Sequence, residues 1–335
     1  MHPQVEYLIQ QPQPEQRTKE WYHARQSRIT ASAVSSLLTR NEDVCKQYVE
    51  TYGLQDTFDY DNKCCNKFSS KKQFTLDKCR SKFTSSQATT WGNKYESVAL
   101  DIYSRSHDNA QLVEFGLLAH RDIPWLAASP DGITVDGVML EIKCPFRRKI
   151  TGIPCLTYYQ QVQIQLEVCN LSVCDFAEYE FKEYPNLTEL LRSDDSEDSE
   201  EKDKGLFIQI EDIPDNFDKR TYFYPEKNLI NNLPALNAWA SGRIEDFIEE
   251  HELRVVSSNE NTVICIDGKY KKTAIKTIYW KVIVESVVPI KRDREWFAAM
   301  TPILEKQWKD VVHYRDNIYC KEEEIPEPSE TVCLF

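Results

Sequence analysis

The chain has 335 residues, enough for a full core and one or two domains. Its formal net charge of -13 excludes a generally basic nucleic-acid coat, so any DNA or RNA contact must use local basic patches within an acidic whole. Eleven cysteines, none in a C-x-x-C pair, and six histidines without H-E-x-x-H argue against zinc. No apolar run approaches the ~18 residues that span a bilayer, and MHPQVEYLIQQPQPEQ lacks a signal-peptide pattern, which together predict a soluble protein of a reducing compartment with no membrane partner.

Residues 1–18, polar and rich in Gln and Pro, read as an extended arm. From Lys19, KEWYHARQSRITASAVSSLLTR reads as a helical turn, a break at Thr30/Ser32, and a second short helix capped by one of those hydroxyls. Arg25, Arg28 and Ser32 then bring two guanidiniums and a hydroxyl near helix N-terminal amides, a phosphate site on one reading and a surface arginine pair with an ordinary cap on the other. Residues 53–89 lack periodicity and read as a loop-rich insertion with one short helix. Its lysines and arginine (63, 67, 71, 72, 78, 80, 82) interleave with Phe68, Phe74 and Phe83, as a nucleic-acid contact or a solvated loop would. In WGNKYESVALDIYSRSH, Tyr95, Val98, Ala99, Ile102 and Tyr103 mark an amphipathic helix with Glu96 at the edge of its buried face.

Residues 112–144 alternate and break as a β-meander that ends in LAASPDGITVDGVMLEIKC (126–144). If Val138 to Cys144 is a strand, Glu141 and Lys143 stand side by side while Val138, Leu140, Ile142 and Cys144 face a core. The Pro130-Asp131-Gly132 turn would swing Asp131 toward the same place. Two carboxylates at one point suggest an oxygen-liganded divalent metal such as Mg2+ or Mn2+. A lysine beside them can orient or deprotonate a water, the arrangement of metal-dependent phosphodiester hydrolysis. An acid-x-lysine triplet recurs by chance in a chain that is 28% charged, where it is ordinarily a solvated ion pair. The P-D-G turn before it and C-P-F-R-R-K after it set this one apart.

YYQQVQIQLEV (158–168) reads as a helix with Gln161 and Gln165 on one face, Gln163 pointing elsewhere and Asn170 closing it; LSVCDFAEYEF (171–181) alternates as a strand. The resulting α–βββ–α–β order makes one α/β layer on a mixed sheet. An acidic run at 194–204 reads as a disordered loop. A strand at 206–210, a helix from Leu233 to His251, two paired strands, and a helix from Asp293 to Tyr314 restarted at Thr301-Pro302 follow. No Walker or dinucleotide glycine loop is present.

Four blocks in one order carry a family resemblance: WYHARQSRITASAV (21–34), WGNKYESVA (91–99), SPDG with LEIKCPF (129–146), and YYQQVQ (158–163). Together they resemble the phage lambda exonuclease-like, or YqaJ-type viral recombinase, branch of the PD-(D/E)xK nucleases. The resemblance implies an α/β fold: a restriction-endonuclease-like core with a mixed central sheet flanked by helices. The expected boundaries are a core over 19–185, a C-terminal α+β extension over 205–320 and a tail over 321–335. It implies that Glu96, Asp131, Glu141 and the carbonyl of Ile142 hold one or two Mg2+ ions, for which Mn2+ can substitute. Lys143 would orient and help deprotonate the attacking water, with Gln161 positioning it, and Arg25, Ser32 and Ser129 would grip a 5'-terminal phosphate. Trp21, Arg28, Arg147 and Arg148, within or beside these blocks, are expected to contact DNA.

The implied activity is a 5'→3' exonuclease on double-stranded DNA ends, feeding a single-strand annealing protein in recombination or viral DNA processing. The expected setting is the nucleus or cytoplasm of a eukaryotic, virus-infected cell. The alternatives are an alkaline nuclease that also cuts RNA, and a non-catalytic nucleic-acid-binding protein on the same fold. An iron–sulfur nuclease would need four clustered cysteines, which the spacing does not show. The glycine usual after the first-block arginine in phage members is absent (Gln26-Ser27-Arg28), and the long C-terminal part looks more like members from large eukaryotic DNA viruses and some animal genomes.

Overall fold

The structure is a computed structural model that describes residues 1–38, 42–55, 71–80, 86–193, 202–213 and 220–317. The basic and aromatic positions 63, 67, 68, 82 and 83, the acidic run at 194–201 and the tail beyond 317 lie outside these residues.

The chain opens with helices α1 (Pro3–Ile9) and α2 (Lys19–Gln26), then a short strand β1 (Ile29–Thr30), a 3-10 turn and helices α3 (Ser35–Leu38), α4 (Glu42–Tyr52) and α5 (Lys71–Arg80). Helix α6 (Gln87–Ser106) leads into the meander β2 (Leu112–Val113), β3 (Leu118–Ala119), β4 (Leu126–Ala128), β5 (Gly132–Thr134) and β6 (Met139–Lys143). Next come α7 (Leu156–Cys169), β7 (Val173–Tyr184), α8 (Leu187–Arg192), β8 (Lys204–Ile213) and β9 (Thr221–Phe223). The chain continues through α9 (Leu233–Glu250), β10 (Arg254–Ser258), β11 (Thr262–Ile266) and β12 (Lys272–Lys291) to α10 (Arg294–Asn317).

One mixed sheet runs β10-β11-β12-β7-β6-β5-β2, with β8 on the other edge of β12 and β9 beside β8. Only β6 and β7 are parallel in it, joined by α7 as the crossover; a smaller sheet β1-β4-β3 packs alongside. Alternation along the central strands divides the core in two. Met139 and Phe176 face α7 and α10, whereas their neighbours Leu140 and Ala177 face α6 and Trp280. A third apolar cluster seats α9 on β8 through Leu206, Ile208 and Leu236. Among the described residues no helix is long and apolar enough to cross a membrane.

Several expectations need correction. The 1–18 arm is helical over Pro3–Ile9, because Val5 and Leu8, one turn apart, are buried in the main core and His2 caps the helix through its ring nitrogen (Gln4 N to Nδ1, 3.1 Å). The second short helix after the Thr30/Ser32 break forms as a 3-10 turn from Ala31 to Ala33 that runs on into α3, but the expected hydroxyl cap is absent, since Thr30 makes no side-chain cap bond. The part after 205 is no separate layer packed on a core. Residues 279–291 of β12 pair along β7, so the C-terminal half completes the same sheet. Helix α10 does not restart at Pro302. Trp296, Met300, Leu304 and Val311 are all buried on one face, and that packing carries the helix across the missing N–H. Among the described residues Cys79, Cys144, Cys155, Cys169, Cys174 and Cys265 are free thiols.

The N-terminal arm is tied to the sheet at Gly116. Gln13 Oε1 accepts the Gly116 N–H (2.7 Å), Pro14 O accepts that of Leu117 (3.0 Å), and a Cβ on Gly116 would sit 2.0 Å from Pro14 O. Gly116→Ala should therefore lift the arm, cost about 1–3 kcal/mol of stability, and speed proteolysis within residues 10–18. Chemical denaturation and limited proteolysis check this, and wild-type values in both would show that the arm is not held there.

Candidate active site

The site is set by where β6 lies. Antiparallel pairing places Gly132 of β5 opposite Leu140 of β6, so Asp131, at the bend just before β5, comes alongside, and its Oδ2 accepts the Ile142 N–H at 2.7 Å. Glu141 and Lys143 share the face of β6 that meets α7, as their i,i+2 spacing requires. Lys143 pairs with Glu141 Oε1. Tyr158, Gln161 and Gln165 recur on one face of α7 and close over the pair. Gln161 Nε2 donates to Glu141 Oε1 and Gln165 Nε2 to Oε2, each at 2.6 Å, and the Lys143 ammonium stands 5.1 Å from the centre of the Tyr158 ring. Gln163 points away, as expected, bonding Lys291 O and the Asp293 N–H. From α6, on the far side, Glu96 reaches in and pairs with Arg17 at 2.8 Å. A cleft of about 500 Å³ opens onto this group, with Glu96, Asp131, Ile142, Lys143, Arg147 and Tyr158 among its lining residues.

Burial, then the negative charges of Glu141 and Glu96, push the Asp131 carboxyl well above the usual carboxylate range. Glu96 is raised for the same first reason, burial, with Arg17 and Lys143 opposing and Glu141 adding to the rise. Burial alone would lower Lys143, but Glu141 and Asp131 outweigh it and hold its ammonium above the ordinary range. Among the described residues no group of three His, Cys, Asp or Glu side chains is gathered as a ready metal cage, since Glu96 is turned to Arg17 and Glu141 to Lys143. In kind, however, the donors suit a hard divalent cation: carboxylate oxygens raised first by burial and then by one another's charge.

The second cluster lies on α2. The Arg25 guanidinium stacks over Trp21 (4.1 Å) and donates to Ser32 Oγ (3.2 Å), and Trp21 Nε1 donates to Ser129 Oγ (3.0 Å). Ser129, distant in sequence, is thus brought through Trp21 to the Arg25–Ser32 pair. Burial lowers Arg25 to about 10. Gln165 also approaches Ser129 O (3.4 Å), so one glutamine side chain touches both this cluster and Glu141.

The expected DNA-contacting residues divide. Arg147 is exposed at the cleft over Phe146. Arg148 is committed to buried Glu178, which register sets opposite Lys143. Arg28 folds back onto Ala24 O (3.1 Å), so its head group serves the end of α2. Gln165, Arg17 and Tyr158 were not singled out as site residues. The i,i+4 spacing of the glutamines and the place of Tyr158 one turn before Gln161 were usable signals, but nothing local marks Arg17.

Residues 20–172 match the model of the YqaJ-like viral recombinase domain. Uncharacterized protein R354 of Acanthamoeba polyphaga mimivirus is 28% identical over 339 residues, covering 91% of this chain and 54% of that protein, so the chain spans about half the length of this relative. Among solved structures, the alkaline exonuclease LHK-Exo from Laribacter hongkongensis aligns with a TM-score of 0.46 and 16% identity over 91% of this chain and 97% of that one. A phage-related exonuclease from Haemophilus somnus 129PT aligns with a TM-score of 0.40 and 9% identity over 88% and 96% of the two chains. The family resemblance carried by the four sequence blocks is thereby borne out: the stretch that supplies Glu96, Asp131, Glu141, Lys143 and Gln161 is the stretch that matches the YqaJ-like viral recombinase domain.

Proposed function

We propose that the chain is a divalent-metal-dependent nuclease that degrades duplex DNA from 5'-phosphorylated ends. The observation that carries this reading is that Glu96, Asp131 and Lys143 line one cleft, with buried Glu141 paired to Lys143, within a domain similar to viral recombinases. Glu96, Asp131, Glu141 and the Ile142 carbonyl would hold Mg2+ or Mn2+, which when bound stabilises the charge on the attacking and leaving oxygens of a phosphodiester. Lys143, kept as an ammonium, donates to the attacking water and offsets phosphate charge. Gln161 and Gln165 fix the Glu141 carboxylate so that it does not swing with its partners. The Arg25–Trp21–Ser32–Ser129 cluster receives the terminal phosphate, an end-recognising feature that favours an exonuclease over an internal cutter.

One observation favours a second reading, a nucleic-acid-binding protein without catalysis: Glu141 and Glu96 are already answered by protein cations. Turnover decides between the two. With Mg2+ present, linear duplex should be shortened stepwise from its 5' ends. Asp131→Asn, which retains an oxygen acceptor for the Ile142 N–H but removes the charge, and Lys143→Ala should each lower the rate by about 10²–10⁴-fold with unchanged circular dichroism. Wild-type rates in either variant would remove that residue from the chemistry, and no cleavage by the wild type with Mg2+ or Mn2+ would establish the binding-protein reading.

End recognition is tested separately. Arg25→Ala should slow digestion of 5'-phosphorylated duplex about tenfold and leave 5'-hydroxyl duplex near its wild-type rate. Equal slowing of both substrates would mean that Arg25 supports the fold of α2 and not a phosphate.

A further inference from the structure

Two cations outside the four sequence blocks converge on the same end of α2. Lys78, on α5, donates through Nζ to the Arg25 carbonyl at 2.6 Å. Arg315, on α10, donates through Nη2 to the carbonyls of Gln26 (2.7 Å) and Lys78 (2.6 Å). The turn they hold is the one that projects the Arg25 guanidinium over Trp21 to Ser32. Three helices thus bring three cations to one place, and among the described residues none of the three forms a salt bridge.

Capping explains part of this, because the last carbonyls of a helix and its dipole favour a cation. It does not explain three. Burial first, then the charges of Arg25 and Arg315, lower the Lys78 ammonium to about 7, with Asp77 on its own helix opposing. A half-buried group of like charges repels itself, and an anion relieves that repulsion.

We propose that Lys78 and Arg315 belong to the pocket of Arg25 and Ser32, so that α2, α5 and α10 together bind one phosphate group. The proposal rests on the end-binding reading above and gives the 53–89 insertion and the C-terminal helix a place in it. The ligand chemistry is a phosphate monoester or free phosphate, sources that the experiment separates. The direction with pH follows from Lys78. Its protonated form binds the anion, so affinity is complete below about 7 and falls as pH rises through that value and the somewhat higher one of the complex. A phosphate monoester gains charge as it titrates near pH ~6, so a loss of binding above pH 7 cannot come from the ligand.

The test is fluorescence anisotropy of the full chain with 5'-phosphorylated and 5'-hydroxyl duplexes in EDTA from pH 6 to 9, with inorganic phosphate as competitor. We expect a preference for the 5'-phosphate at pH 6.5 that declines toward pH 9 and is erased by inorganic phosphate. Lys78→Met and Arg315→Gln should each reduce it about tenfold, and Lys78→Arg should preserve it at pH 9, where the wild type has lost it. The Lys78→Arg profile is decisive even if Lys78→Met fails to fold, since a packing role would not move a pH dependence.

A wild-type preference that is flat in pH and unaltered in Lys78→Met, or a Lys78→Arg profile that follows the wild type, would overturn the proposal. Binding of inorganic phosphate lost in Lys78→Met, with no discrimination between duplexes, would support the pocket and assign it to free phosphate. Because no metal or cleavage enters, a chain that binds ends but does not cut would fail the nuclease reading while passing this test.

Discussion

The carboxylate of Glu141 is the constraint on which the site depends. It is buried at the centre of the molecule, and a buried carboxylate without partners would cost several kcal/mol. Lys143 and Gln161 meet one oxygen and Gln165 the other, so strand β6 and helix α7 must keep a fixed register. The same requirement fixes the crossover. Glutamines on α7 can reach Glu141 because α7 joins two adjacent parallel strands and lies directly over the pair. Removing either side would leave the other unsatisfied in a low-dielectric interior, where partial satisfaction costs more than an apolar replacement of the whole set.

That constraint also explains why the sheet extends as it does. Glu178, opposite Lys143 in register, is a second buried acid and takes Arg148 from the loop after β6. Tyr158 lies between the two cations, 5.1 Å from Lys143 Nζ and 5.4 Å from the Arg148 guanidinium carbon. Such a tier of charge needs β7 rigid. Twelve register pairs from β12 supply the rigidity, and β12 extends past β8 to provide them. The C-terminal half is thus mechanically part of the catalytic candidate although no site residue near Glu141 comes from it.

How much was legible follows from the range of each interaction. Glu141 beside Lys143, the apolar face of Leu140, Ile142 and Cys144, the helix around Glu96 and the Gln161/Gln165 face all derive from spacing within a few residues, and the structure holds them as the spacing implies. Asp131 was readable from its place just before β5, although the expected P-D-G turn is only a bend, with Gly132 already in the strand. The pairing of β12 with β7 along 279–291 and with β11 along 272–276 was not readable, since β7 and β12 look alike as separate strands and nothing local says that they pair. Arg17 sits at a positive φ of 69° in a stretch expected to be extended, and the Arg315–Gln26 contact spans 289 residues. Pro302 misled for a related reason: a local breaker rule was overridden by a buried stripe four turns long.

The acids differ in how readily they could exchange partners, and the difference bears on how the site would take a cation. The Arg17–Glu96 pair is about a third exposed on both sides (32% and 28%), so solvent screens it and little free energy holds it closed. The Lys143–Glu141 pair is different. The Glu141 side chain is 1% exposed and is held by two further donors, so opening it would strand a buried charge. On the proposed function, Glu96 would therefore be freed from Arg17 to hold a divalent ion more readily than Glu141 from Lys143, and the ammonium would stay where it is. The arginine released lies on the same short segment that leads from the arm into α2, and hence toward Trp21 and Arg25. One stretch of backbone from Arg17 to Arg25 thus joins the Glu96 side of the cleft to the Arg25–Ser32 cluster.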